Sequence, residues 1–204
     1  MKKILIASTN PGKITEINIG LQILKKHGVD IFTLSDVIVG EDQPEENGKT
    51  FQENALIKAK FYAQLTKLPV LADDGGLVIP YLNNEPGVRS KRWLGYDASD
   101  QKLIDHTLKK LQGTNGKERS AYLEVCLCFY DPEIDKTIFE KEKITGHISE
   151  VPTKKRVAGF PYRALLIVDK YNKFYDELTK EEHVKVNHRL KALKRLTKRI
   201  TDLL

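Results

Sequence analysis

The chain has 204 residues, 40% hydrophobic and 30% charged, which is ordinary for a globular protein able to bury a substantial core without disulfide staples. Its net charge of +6 suits an anionic ligand and does not choose among nucleotide, nucleic acid and membrane surface. No apolar run approaches the ~20 residues that cross a bilayer, and the apolar stretch after Lys3 is too short for a signal-peptide core, so the expected setting is cytoplasmic with no membrane partner.

In chain order, residues 3–7 read as an apolar strand and residues 11–26 as a helix, with Asn10 as N-cap, Pro11 in the first turn and Gly28 past the end. Residues 31–34 form a short strand, and residues 36–49 are polar, acidic and loop-like. Thr50-Phe51-Gln52-Glu53 is a capping box that opens a helix over 51–66. Residues 69–72 read as a short buried strand, 80–95 as a turn-rich basic stretch and 100–111 as a helix. Residues 120–130 alternate as a long strand, with 137–144 returning as its hairpin partner and 146–148 continuing it. Residues 164–168 form a further strand. A second capping box at Thr179 opens a C-terminal helix with apolar residues at Leu190, Leu193, Leu196, Ile200 and Leu203. Cys126 and Cys128 share one face of a strand and read as core thiols of a reduced protein. The pattern predicts an α/β fold with a mixed sheet, organised as a single domain over 1–204.

Four segments can carry chemistry. Leu71-Ala72-Asp73-Asp74-Gly75-Gly76-Leu77 runs a buried strand into two carboxylates, which is costly unless the charges serve a hard cation such as Mg²⁺. The glycines permit a sharp turn or the close approach of a ligand. Ser8-Thr9-Asn10-Pro11-Gly12-Lys13 ends a strand at a helix N-terminus, which suits phosphate, although it lacks Walker A spacing. Asn54 and Lys58 lie one turn apart beside a stripe of Ala55, Ala59 and Ala63, and Glu45 or Glu46 upstream can share a cation with Asp74. Near the C-terminus, Phe160-Pro161-Tyr162-Arg163 can stack on a base or join the core. His183 and His188 lie about 140° apart on an ideal helix and make a poor metal pair, so His188-Arg189 reads as a donor pair for an anion or carbonyl.

Together these segments resemble the inosine triphosphate pyrophosphatase family, the Ham1-like house-cleaning nucleotidases. The resemblance rests on STNPGK, TFQENALIKAK, PVLADDGGLVI, EPGVRSKRWLG and ELTKEEHVKVNHRLKAL, in the family's order along nearly the whole chain. It implies a long mixed sheet flanked by helices in two lobes, with the nucleotide between them. It also implies a homodimer and Mg²⁺-dependent hydrolysis of a non-standard purine nucleoside triphosphate, such as ITP, dITP or XTP, to the monophosphate and pyrophosphate. Carried over, Ser8, Thr9, Asn10 and Lys13 hold phosphates, Glu45 (or Glu46) and Asp74 bind Mg²⁺, and Asp74 is the general base. Asn54, read from its place beside Lys58, joins the substrate contacts. Lys58 contacts the triphosphate and Gly75 contacts substrate. Phe160, Tyr162, Arg163, His183, His188 and Arg189 surround the base.

This chain departs from the family pattern at five places. Gly75 stands where a Ser or Thr is usual, Pro161 where a Gly is usual, Arg163 where an Asp is usual, His183 where a Lys is usual, and Asn187 where a Ser is usual. The reaction type is thus expected to persist, while the changed residues around the base leave its preference open. Two alternatives remain open at this level. One is a hydrolase for a different nucleotide. The other is a non-catalytic nucleic-acid binder using Arg89-Ser90-Lys91-Arg92-Trp93 and the basic run at 191–199, which no nucleic-acid module signature supports.

Overall fold

The computed structural model of the chain describes residues 3–37 and 43–203. The first strand, β1 (Lys3–Ala7), buries its last four residues. Asn10 caps α1 (Pro11–Gly20), its Oδ1 accepting from the backbone N–H of Gly12 and Lys13. The helix expected over 11–26 is broken at Leu21, leaving α2 (Gln22–Lys26) as a separate turn. Gly20 weakens the helix there, yet a Cβ at that position would lie 2.5 Å from the Leu193 side chain, so close packing requires the glycine.

Next come β2 (Asp30–Thr33), parallel to β1, and α3 (Phe51–Thr66), capped by the Thr50 hydroxyl. Ala55, Ala59 and Ala63 are fully buried with Leu5, Ala7, Val70 and Ala72, so the alanine stripe lets α3 approach the strands closely. The strand expected to end at Ala72 instead continues as β3 (Val70–Ile79), straight through both Asp and both Gly residues and parallel to β1. Gly76 does not turn the chain. A Cβ there would lie 1.9 Å from Ser90 Oγ, which accepts from Leu77 N at 3.0 Å, so the glycine admits a close neighbour.

The remaining elements are β4 (Glu85–Pro86), α4 (Asp100–Lys110), β5 (Ser120–Asp131), β6 (Lys136–Ile148), β7 (Leu166–Val168), β8 (Lys173–Phe174), α5 (Lys180–Val186) and α6 (His188–Thr201). The predicted hairpin is β5–β6, while β7 starts at Leu166 because Pro161–Ala164 form a 3₁₀ turn. The C-terminal helix divides at Asn187, which is fully buried with φ −55° and ψ 111°. Leu193, Leu196 and Ile200 are buried, whereas Leu203 is exposed, so the apolar face of α6 stops at Ile200. Among the described residues, eight strands pair in the order β2-β1-β3-β5-β6-β7-β8, with β4 on β3, as a mixed sheet in an α/β fold.

The chain forms two compact units, each assembled from separate stretches. Unit 1 comprises Met1–Asp74, Val125–Glu142 and Arg189–Leu204; unit 2 comprises Gly75–Glu124 and Lys143–His188. Unit 1 has two apolar clusters, one around Ile6, Ile17, Leu71 and Leu193 and one around the alanine stripe. Cys126 and Cys128 are buried there without a disulfide, and burial pushes the Cys128 thiol up to about 12. Unit 2 has its own cluster, centred on Leu77, Ile104, Leu165 and Tyr175. No helix among the described residues is long and apolar enough to cross a membrane.

Candidate active site

In unit 1, β3 delivers two consecutive carboxylates to opposite fates. Asp73 is 1% exposed and its Oδ2 lies 3.1 Å from Lys13 Nζ and 3.1 Å from an Arg189 terminal nitrogen. Arg189 reaches Glu16 at 2.5 Å with its other terminal nitrogen, so one guanidinium joins α1, β3 and α6. Burial alone would raise the Asp73 carboxyl, but Lys13, Arg189 and Lys58 outweigh it and hold the group well below the usual carboxylate range. Asp74 goes the other way. Burial pushes it up to about 6, and the nearby Glu46 carboxylate adds to the rise against the opposing pull of Lys13, Lys58 and Asn54.

Helix α3 braces this pair through two side chains one turn apart. Asn54 Nδ2 donates to Asp74 Oδ2 at 3.0 Å, while Asn54 Oδ1 accepts from Gly48 N at 2.7 Å. Lys58 Nζ donates to the Asp73 carbonyl at 3.0 Å and pairs with Glu46 at 2.9 Å. Burial lowers the Lys58 ammonium, and the three carboxylates around it prevail and raise it.

Several expectations change. Of the two acidic loop residues, Glu45 is exposed, and Glu46 is the one that meets Lys58 and acts on Asp74. Asn54 is 1% exposed and engages Asp74 and Gly48 rather than standing open as a substrate contact. Asn10 uses its side-chain oxygen to cap α1, taking up the backbone N–H of Gly12 and Lys13, and Thr9 is exposed. Ser8 Oγ accepts from Asn10 N at 3.3 Å. Arg189 pairs with Asp73 and Glu16, and His188 begins α6 with its ring 6.3 Å from Tyr175. Asp73, expected with Asp74 to serve a cation, is taken up by Lys13 and Arg189, and Glu16 is not among the expected site residues. Glu16 lies three residues after Lys13 on the same helical face, which is the signal that could have found it.

In unit 2 the candidates form an aromatic cluster. The Arg163 guanidinium lies 3.6 Å from the Phe160 ring centroid and 4.7 Å from that of Tyr175, and Arg163 is 5% exposed. His183 meets Tyr175 edge-on at 5.3 Å and lies 3.4 Å from Asn187 Nδ2. Tyr162 belongs to the core, its hydroxyl donating to the Ser90 carbonyl at 2.5 Å, so it is not displayed for stacking. Burial also pushes the Asp176 carboxyl up to about 6, despite Arg163 beside it. The basic stretch at 89–93 makes contacts of its own, with Arg89, Lys91 and Arg92 exposed. Arg89 and Trp93 Nε1 both bond Glu85, Lys91 bonds the Ala98 carbonyl, and Trp93 packs edge-on against His106. A stacking platform for single strands needs its aromatic open, and this one is engaged.

The model of the Ham1 family matches residues 4–199. The chain belongs to the Ham1 family. It is 39% identical to the dITP/XTP pyrophosphatase of Halalkalibacterium halodurans over 97% of this chain and 98% of that one. It is 38% identical to the dITP/XTP pyrophosphatase of Bacillus subtilis over 97% and 96% of the two chains. Among solved structures, a Ham1 protein from Coxiella burnetii superposes with a TM-score of 0.85 at 32% identity, covering 99% of this chain and 100% of that one. The Staphylococcus aureus Ham1 protein gives 0.84 at 30% identity with both chains fully covered. Within this Ham1 chain all five departures lie in unit 2. Gly75 stands in extended β3 next to Asp74 in sequence, Pro161 opens the 3₁₀ turn Pro161–Ala164, Arg163 and His183 pack on Tyr175, and Asn187 meets His183.

Proposed function

We propose that this Ham1 chain hydrolyses non-standard purine nucleoside triphosphates, of the dITP and XTP class, to the monophosphate and pyrophosphate. The chain is a nucleoside triphosphate pyrophosphatase, and the observation that carries the reading is the opposed state of adjacent carboxylates. Asp73 pairs with Lys13 and Arg189 at 3.1 Å each, while Asp74 accepts from Asn54 at 3.0 Å and burial pushes its carboxyl up. Environments that drive paired carboxylates apart mark which one moves protons.

The donor set fits a hard divalent cation. Asp74 and Glu46 would supply carboxylate oxygens to it, and Mg²⁺ needs only one or two carboxylates when phosphates complete its shell. When bound, Mg²⁺ neutralises phosphate charge and lowers the pKa of a bound water. The remaining work belongs to the chain. An ammonium has three donors, so Lys58 can hold the Asp73 carbonyl and Glu46 and still donate to a phosphate oxygen, and Lys13 can do so beside Asp73. Asp74, held at Oδ2 by Asn54, accepts the proton of the attacking water as the bond between the α- and β-phosphates breaks. Pyrophosphate leaves intact.

Arg163 and His183 are proposed as base readers that favour a 6-oxo purine, since both carry donors. A retuned base preference is the second reading, favoured by the guanidinium stacked between Phe160 and Tyr175. The chain is also proposed to work as a homodimer in the cytoplasm, which sedimentation and fractionation test. The decisive experiment is a product screen of common and deaminated nucleoside triphosphates with Mg²⁺. Monophosphate and pyrophosphate from ITP, dITP or XTP are expected; diphosphate and orthophosphate from a purified sample would rule the mechanism out.

A further inference from the structure

We propose that Asn54 is a positioning residue that makes Asp74 dependent on the seating of the segment 43–50, with Gly48 as its obligatory partner. The inference rests on the pyrophosphatase reading, because it names what aims that reading's general base. The geometry is a two-ended bridge. Gly48 N–H can only donate and an ionised Asp74 can only accept, so a group between them needs an acceptor at one end and a donor at the other. Asn54 meets this with Oδ1 2.7 Å from Gly48 N and Nδ2 3.0 Å from Asp74 Oδ2. The backbone contact therefore fixes which end of the amide faces Asp74. A carboxylate at position 54 would offer acceptors to both, and an alanine would offer neither.

An independent observation concerns Gly48 itself. A Cβ built there would lie 2.6 Å from Asn54 Oδ1, 2.7 Å from Glu53 Cβ and 3.0 Å from Asn54 N. Two of those atoms belong to the first turns of α3 and cannot swing aside as a flexible tip does. Any side chain at 48 must push the segment off the helix and break the bond that orients Asn54. The same segment is held a second time, one helical turn on, by Lys58 to Glu46 at 2.9 Å. Asn54 and Lys58 thus each hold residues 46–48 at one end and residues 73–74 at the other. Seating the segment brings Glu46 in and aims Asp74 in one event.

The test compares Asn54→Ala, Asn54→Asp, Gly48→Ala and the Gly48→Ala/Asn54→Ala pair, using Mg²⁺-supported pyrophosphate release from ITP. A positioning role lowers kcat at least about tenfold in Asn54→Ala and Gly48→Ala while KM for ITP stays within about threefold. Asn54→Asp should be no better than Asn54→Ala. The double variant should be no slower than the worse single, because both substitutions break one bridge. A tenfold rise in KM with kcat retained would make Asn54 a substrate contact and overturn the proposal, as would multiplying losses in the pair. Amide hydrogen exchange at Gly48 supplies a readout that needs no turnover: it should accelerate in Asn54→Ala, and unchanged protection would refute the bridge. If the parent releases pyrophosphate from no nucleoside triphosphate, the functional reading fails, while the exchange measurement still decides the bridge. Should Asn54→Ala not fold, Gly48→Ala alone carries the kinetic comparison.

Discussion

The candidate residues of unit 1 are joined by charge, and those of unit 2 by aromatic faces. In unit 1, Lys13, Glu16, Asp73 and Arg189 form a buried chain of ion pairs in which each group depends on the others. Deleting one member strands a buried charge, so such a network leaves little room for substitution. In unit 2, Phe160, Tyr175, Arg163 and His183 meet through ring faces and edges. Stacking accepts any group with a suitable face, so side chains can change while the cluster persists. The departures from the family pattern all lie in unit 2, and the reversal of charge at position 163 falls in the aromatic cluster.

The contrast can be broken most severely at Arg189. Arg189→Ala leaves Asp73 and Glu16 buried without their shared cation and should cost about 3–5 kcal/mol of stability, read as a lowered midpoint in urea. A loss under about 1 kcal/mol, the size of an exposed pair, would show that the network is not coupled. Next comes Asp74→Asn, which keeps the shape and removes both the metal-binding charge and the basicity. Turnover should fall at least ~10²-fold with an unchanged circular dichroism spectrum, and near-normal turnover would sink the assignment.

On the aromatic side, Arg163→Ala should reduce discrimination between ITP and ATP by about 1–3 kcal/mol, the cost of leaving a buried polar partner unmatched. The check is kcat/KM for both nucleotides in parent and variant. A parent that prefers ATP refutes the oxo-selective reading, and a variant with unchanged preference but a lower melting temperature makes Arg163 a keystone of the cluster only. The smallest effect concerns pH. Asp176 is raised to about 6 in the folded chain, from 3.8 when free, so between those values the native state binds more protons than the unfolded one. Its contribution therefore declines as pH rises from about 4 to 6. Asp176→Asn can still accept from Val157 N and should gain on the order of 1–2 kcal/mol relative to the parent between pH 4 and 7. A gain independent of pH would exclude this titration as its source.

Most element types were legible because their signals are local. The capping boxes at Thr50 and Thr179, the cap at Asn10, the alanine stripe and the β5–β6 alternation each depend on residues a few positions apart. Two of the misreadings trace to glycine. Gly20 looked compatible with a continuing helix, and Gly75-Gly76 looked like a turn, yet two of these glycines admit close neighbours distant in sequence, Leu193 and Ser90. Glycine carries no label for the reason it is needed.

The sequence by itself determined the strand–helix alternation, the charged residue types and, through several ordered motifs, the family, because these are matters of spacing along the chain. Only the tertiary structure decided what each charged group does. Asp73 and Asp74 are chemically identical neighbours, and alternation along a strand sends them to opposite sides. One meets Lys13 and Arg189 and the other meets Asn54 near Glu46, and those surroundings hold one carboxyl low and push the other up. The same holds for Glu46 over Glu45 and for Asn54. A side chain's partners lie up to 173 positions away, as for Arg189 and Glu16, and no local pattern can name them.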